Sequence, residues 1–139
     1  MLFYLQQRGL TRAQAMTIPA VCSAVDFISN SIATMPVKLY KIRDGRVEEK
    51  TDDTRVRLLN GDTGDTLNAY QMKAAMVRDY LMDGNGYAYI RQNRNEFTGL
   101  FYVMDDYVAP LINANPIFKK RSLMVYDAEY ELFQFVKLL

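Results

Sequence analysis

Residues 66–104 read TLNAYQMKAAMVRDYLMDGNGYAYIRQNRNEFTGLFYVM, and the fold class turns on them. Up to Met82 the apolar residues recur at helical spacing. Tyr70, Ala74, Val77 and Leu81 fall on one face of a helix running from about Leu67 to Met82. Thr66 stands where an N-cap belongs, with a hydroxyl that can accept from an unpaired N–H of the first turn. Gly84-Asn85-Gly86 then supplies residues that tolerate the left-handed backbone of a helix C-terminus. After it the period changes. Tyr87-Ala88-Tyr89-Ile90-Arg91-Gln92 and Leu100-Phe101-Tyr102-Val103-Met104 read as strands, joined by a turn at Asn93-Arg94-Asn95-Glu96.

Upstream, Ile18, Val21, Cys22, Val25, Ile28, Ser29, Ile32 and Met35 form another helical stripe. Thr17 is placed to cap it, Pro19 fits its first turn and Pro36 stops it. Such a stripe faces the core, or else a helix of another subunit. Val37 to Ile42 alternates apolar and polar residues, as a half-buried strand does. Asp44-Gly45 signals a type I′ hairpin, with Arg46, Val47 and Glu48 returning. A polar loop over Lys50–Asp53 and a short helix with Val56, Leu58 and Leu59 lead into the turn cluster Asn60–Asp65. Downstream, Pro110 and Pro116 bracket a loop. Leu123–Tyr126 and Leu132–Val136 are expected to pair as last strands. The order predicts an α+β fold, with amphipathic helices packed on short antiparallel hairpins, rather than a doubly wound sheet.

The 139 residues suit one domain. Residues 1–16 are expected as an N-terminal arm and 17–110 as the α+β core. Residues 111–139 are expected to be C-terminal strands of the same domain, or a truncated continuation. The apolar ending Phe133, Phe135, Val136, Leu138 and Leu139 has no polar cap. It packs inside, joins a partner, or continues into a longer protein. The alternative to an assembly subunit is a stand-alone interaction domain that dimerises through these strands.

Chemistry has little to work with. Histidine is absent, and Cys22 is the single cysteine. Neither a Ser-His-Asp nor a Cys-His arrangement can be built, no internal disulfide can form, and zinc loses its commonest ligand. Asp62-Thr63-Gly64 matches the aspartic-protease tripeptide, but the following Asp65 and the polar, glycine-rich setting read as a turn before a helix. Gly84-Asn85-Gly86 lacks the further glycines or the lysine of a phosphate loop and sits at the wrong end of a helix. The doublets Glu48-Glu49, Asp52-Asp53 and Asp105-Asp106 read as solvated surface, because neighbours on a strand point to opposite faces. No catalytic, cofactor or metal residue is expected. Seventeen basic residues nearly cancel sixteen acidic ones, so only a local patch could meet DNA. Lys119, Lys120 and Arg121 form the one basic run, a weak nucleic-acid contact at most. No apolar run is long enough to span a membrane, and the chain reads as soluble and cytosolic in origin.

In order and spacing these elements resemble the N-terminal, wing region of tailed-bacteriophage portal proteins, over about Thr17 to Pro110. The helix ending Ile32-Ala33-Thr34-Met35-Pro36 and stepping into Val37 is similar to the family's first helix. Leu58-Leu59-Asn60 is similar to its short helix before a turn. Thr66 with Tyr70 resembles the start of its next helix, and Gly84-Asn85-Gly86-Tyr87 its strand entry. The resemblance implies a structural subunit, here a fragment or prophage remnant, of the usually dodecameric ring at the capsid vertex. That ring serves head assembly and DNA packaging and ejection. It further implies the other subunits, capsid, terminase and head–tail connector as partners, passage of DNA through the ring, and a place in the virion after assembly in the host cytoplasm.

Overall fold

In the computed structural model, which describes residues 9–112, 117 and 121–138, a first hairpin separates two pairs of helices and the remaining strands follow them. The order is α1 (Arg12–Met16), α2 (Pro19–Ala33), β1 (Tyr40–Arg43), β2 (Arg46–Glu49), α3 (Thr54–Asn60) and α4 (Ala69–Asp83). Then follow β3 (Gly86–Asn93), β4 (Glu96–Val103), β5 (Val108–Ile112), β6 (Arg121–Val125), β7 (Ala128–Glu131) and β8 (Phe135–Leu138). The strands make three sheets, ordered β1-β2, β4-β3-β8 and β5-β6-β7, every pairing antiparallel. The architecture is α+β.

Asn68, not Thr66, caps α4. Its side chain accepts from the Gln71 N–H at 2.9 Å while the Gln71 Oε1 accepts from the Asn68 N–H at 3.1 Å. This reciprocal capping box satisfies two orphan donors at once, which Thr66 is too far upstream to do. The Thr66 N–H goes instead to the Asp65 carboxylate. At the other end Gly84 adopts φ 88° and closes the helix as the sequence implied.

The expected stripe is only one of two buried faces of α4. Ala74 and Val77 are buried, but Tyr70 and Leu81 lie toward its exposed rim. A second face, with Met72 and Met76, meets Leu58, Ala88 and Leu100. The helix is therefore clamped between α2 and the β4-β3-β8 sheet. Each such buried side chain is worth about 1.5–3 kcal/mol of transfer free energy.

Helix α2 departs from expectation. Its buried line is the small set Val25, Ser29 and Ala33, which lets it lie close against α4. The larger residues of the expected stripe, Ile18, Ile28, Ile32 and Met35, are exposed, and Phe27 is 74% exposed. Thr17 does not cap α2. It ends α1, and Ile18 holds the N-cap position without a side-chain bond.

The first hairpin turns through Asp44 (φ 49°) and Gly45 (φ 77°), the positive pair that a type I′ turn requires. The half-buried strand expected over Val37–Ile42 begins only at Tyr40, and all eight residues of β1 and β2 are exposed. Alternation marks two chemically distinct faces, and no other part of the described chain covers the apolar one. The second hairpin, β3-β4, uses Arg94 and Asn95, both also at positive φ.

The C-terminal pairing is corrected too. A tight turn at Tyr126-Asp127 makes Ala128–Glu131 the neighbour of β6, and Phe135–Leu138 crosses to the free edge of β3. There Phe135 is buried against Tyr87 and Leu123, and Val136 and Leu138 pack on the α4 side. Phe135, Val136 and Leu138 of the apolar ending are thus used within the chain, whereas Phe133 is exposed and Leu139 lies outside the described residues. Pro110 is not in a loop. It sits in β5, opposite Leu123, on an edge strand where its missing N–H is tolerated. Pro116 lies outside the described residues.

Gly86 opens β3 hard against α4. A Cβ there would stand 2.4 Å from the Met76 carbonyl oxygen and 3.0 Å from its carbon. Backbone on both sides cannot yield cheaply. Gly86→Ala is expected to lower stability by about 2–3 kcal/mol, read as a lower urea midpoint, whereas Gly9→Ala, with open space around it, leaves the midpoint in place.

Candidate functional site

Four of the residues singled out from sequence, Pro36, Leu58, Leu59 and Asn60, converge on one joint. Pro36 follows the end of α2, and the next residue, Val37, is held like a paired strand residue by a side chain. The Val37 N–H donates to Asn60 Oδ1 at 2.7 Å, and Asn60 Nδ2 donates to the Val37 carbonyl at 2.8 Å and to the Val56 carbonyl at 2.9 Å. Leu58 is buried just before it and Leu59 packs at the core's edge. Asp53 caps α3 from the surface. The Arg55 side chain and backbone N–H hold its carboxyl at about 2. Polar rungs fasten α2 to α4: Tyr70 Oη donates to Asn30 at 2.9 Å, and Arg78 meets Asp26 at 2.8 Å. Lys73 Nζ donates to the Met35 carbonyl at 2.8 Å. Burial lowers the Lys73 pKa. Tyr87 is a core residue and Asn85 is half-buried beside it.

The joint borders an open apolar groove of about 590 Å³. Its walls include Ile32, Met35 and Val37 on one side, Tyr80 on α4, and Val136 and Leu138 on β8. Asp26 is the sole charged residue of α2. An exposed helix so short of charge, beside an apolar groove, has the composition of a covered interface centre.

A charged cluster that sequence reading missed lies at the far end of α4. Asp79 is fully buried. Arg12 of α1 reaches its carboxylate at 2.6 Å and that of Asp83 at 2.8 Å, and Tyr102 Oη donates to Asp79 as well. Burial and then the Asp79 contact raise the Tyr102 pKa. Asp105 is raised by burial and by Asp83, Asp79 and Asp106. The ion pairs close within the chain and pin α1 to α4 and β4. No local signal announces such a long-range contact.

The Asp62 carboxylate accepts from the Gly64 N–H. Thr63 is buried, with its hydroxyl on the Leu67 carbonyl and its own carbonyl taking the Leu100 N–H at 2.8 Å. The tripeptide is a turn stitched to β4. Of the basic run, Lys119 and Lys120 lie outside the described residues. Arg121 opens β6, exposed, opposite Ile112.

Comparison with known proteins gives this arrangement a family. The model of the family described as phage portal protein matches residues 19–132. The chain belongs to the phage portal protein family. Its fold is similar to that of an HK97-family phage portal protein from Corynebacterium diphtheriae, with TM-score 0.66 and 18% identity over 94% of this chain. At that identity the likeness is one of fold. The portal-family chain spans 40% of the length of that structure's chain. No curated protein matches it in sequence. The family match runs from the start of α2 past β7, so the joint, the exposed hairpin and the α2 and α4 walls of the groove lie within the portal segment, while the β8 wall, Val136 and Leu138, lies beyond it.

Asn60→Ala removes both halves of the Val37 clamp. Stability is expected to fall by about 1–3 kcal/mol, with amide exchange accelerating at Val37 first. Tyr102→Phe leaves Asp79 short of a donor and costs about 1.5–3 kcal/mol at neutral pH. The Tyr102 pKa is higher folded than unfolded. Its contribution is therefore complete below about pH 10 and is lost as pH rises toward the folded value. Above pH 10 the wild type should lose stability more steeply than Tyr102→Phe, by up to about 1.4 kcal/mol per pH unit, in denaturant titrations at stepped pH.

Proposed function

We propose that this chain is a structural part of a portal ring at the capsid vertex, in its outer wing, serving head assembly and the packaging and ejection of DNA. The observation that carries the reading is the family match across the whole of α2 through β7. The exposed apolar ridge of α2 and the uncovered hairpin support it, because an assembly subunit leaves such faces for its neighbours. The partners in this reading are other copies in a ring, the capsid, the terminase and the head–tail connector. Its place is the virion, reached from the host cytoplasm during assembly. The chain performs no catalysis in this role. Its buried carboxylate, Asp79, is occupied by Arg12 and Tyr102, and Pro36, Leu58, Leu59, Asn60, Thr66, Tyr70, Gly84, Asn85 and Tyr87 act as structural positions.

DNA passes through the ring in this reading and touches this region little. Lys119, Lys120 and Arg121 offer few phosphate contacts, so binding is weak and is lost at modest salt.

The test is localisation. The chain, tagged and expressed with the capsid protein of its own phage, is followed by gold labelling and electron microscopy of purified particles. Label at a single vertex per particle is expected. Label spread over all faces, or none on particles, contradicts the reading. In parallel, duplex-DNA titration should show affinity that disappears between low and physiological salt, and tight binding at physiological salt contradicts the peripheral placement.

A further inference from the structure

We propose that the β1-β2 hairpin of one copy seats its apolar face in the groove between α2, α4 and β8 of a second copy, making a head-to-tail contact. The inference rests on the ring reading above and names the surfaces that would make it.

The hairpin is amphipathic. In its register Ile42 pairs with Val47 and Tyr40 with Glu49, so Tyr40, Ile42 and Val47 share one face, with Glu49 at its base paired to Lys38. Lys41, Arg43, Arg46 and Glu48 share the other. Ile42 is 74% and Val47 66% exposed. A lone two-stranded hairpin is marginally stable in water, and apolar-in, polar-out alternation describes a strand pair laid on a surface. Nothing described in its own chain provides that surface. Val37 forms the lip of the groove and Tyr40 begins the hairpin three residues on. The hairpin therefore leaves its own groove, and a groove it could enter is that of another copy.

Charge fits the same arrangement. Arg43 and Arg46 stand directly opposite each other at the tip, a like-charge pair that costs stability. Neither has an ion-pair partner among the described residues. The groove ends at Tyr80, one turn before Asp83, where α4 presents the negative end of its dipole. Asp105 and Asp106 gather there with Asp83 and Asp79 around Arg12, so carboxylates outnumber the guanidinium, and Asp105 is raised in pKa by burial and then by that crowding, against the opposing pull of Arg12. Dimensions agree. Four strand residues span about 13 Å, and α4 runs about 10 Å from Met76 to Asp83. A hairpin with Ile42 and Val47 in the groove brings its tip to the acidic end.

Both halves sit on one chain and differ from each other. A contact between unlike patches is heterologous, the kind that closes into rings. An isologous pair would instead match one patch with itself.

Sedimentation velocity on the full chain decides the matter with two surface variants. Ile42→Asp spoils the hairpin and Ile32→Lys spoils the groove. Both positions are exposed, and unchanged circular dichroism confirms folding. The wild type should self-associate beyond the dimer, and each variant alone should be monomeric. An equimolar mixture should form dimers and nothing larger, since each partner keeps one intact patch. Arg43→Glu with Arg46→Glu should weaken self-association by roughly tenfold, more at low salt. Wild type that grows into open chains instead of closed rings would uphold this contact while removing the ring reading. The proposal is overturned if the wild type stays monomeric, including the case in which the two arginines instead govern binding to duplex DNA. It is equally overturned if Ile42→Asp associates like the wild type, or if the mixture of folded variants stays monomeric.

Discussion

Helix α4 is held from two sides, and the close approach of Gly86 to the Met76 backbone sets where it lies. Once the Asn68–Gln71 box starts the helix and Gly84 ends it, the chain must leave in β3 directly against the helix it has just completed. That contact orients the β4-β3-β8 sheet. It also leaves the opposite face of α4 for the small residues Val25, Ser29 and Ala33 of α2. The remaining helices are tied on by polar clamps: α3 through Asn60 to Val37, and α1 through Arg12 to Asp79 and Asp83. Hydrophobic burial supplies the driving force here. These directional contacts fix positions.

Local signals in the sequence are legible where the chemistry is local. Gly84 ends a helix because glycine alone tolerates its backbone cheaply, and Asp44-Gly45 turns a hairpin for the same reason. The α+β class and the portal resemblance came from the order of such pieces. Periodicity was less informative about burial. One stripe on α4 was visible, but a helix clamped on two sides has a second buried face, and Met72 and Met76 carry it. On α2 the large apolar residues looked like core, while the small ones are what packing selected. Two helix starts were misplaced because Thr66 and Thr17 are good caps in isolation and lost to reciprocal or proline-led alternatives. The partner of β8 was not legible, since strand pairing across the chain has no local mark. The Arg12–Asp79 clamp was invisible for the same reason.

The molecule thus divides its residues by task. Polar contacts, from the buried Asp79 to the exposed Asn60, fasten elements to one another, and apolar side chains outside, on α2 and on the first hairpin, are spared from the core. For a family of assembly proteins that division is coherent, because a subunit must fold first and still keep sticky faces for later. Those faces bear few charges of their own, and such charges as they have sit at the margins, where they set register rather than strength.

Helix α4 and β3 form the stable heart of the chain, while the apolar face of the β1-β2 hairpin is covered by no other described residue. Amide hydrogen exchange on the dilute, unassembled chain tests this most directly. The slowest exchange should fall in α4 and the first half of β3, and the fastest among the ordered elements in Tyr40–Glu49. Protection of that hairpin equal to the protection of β3 would contradict the account.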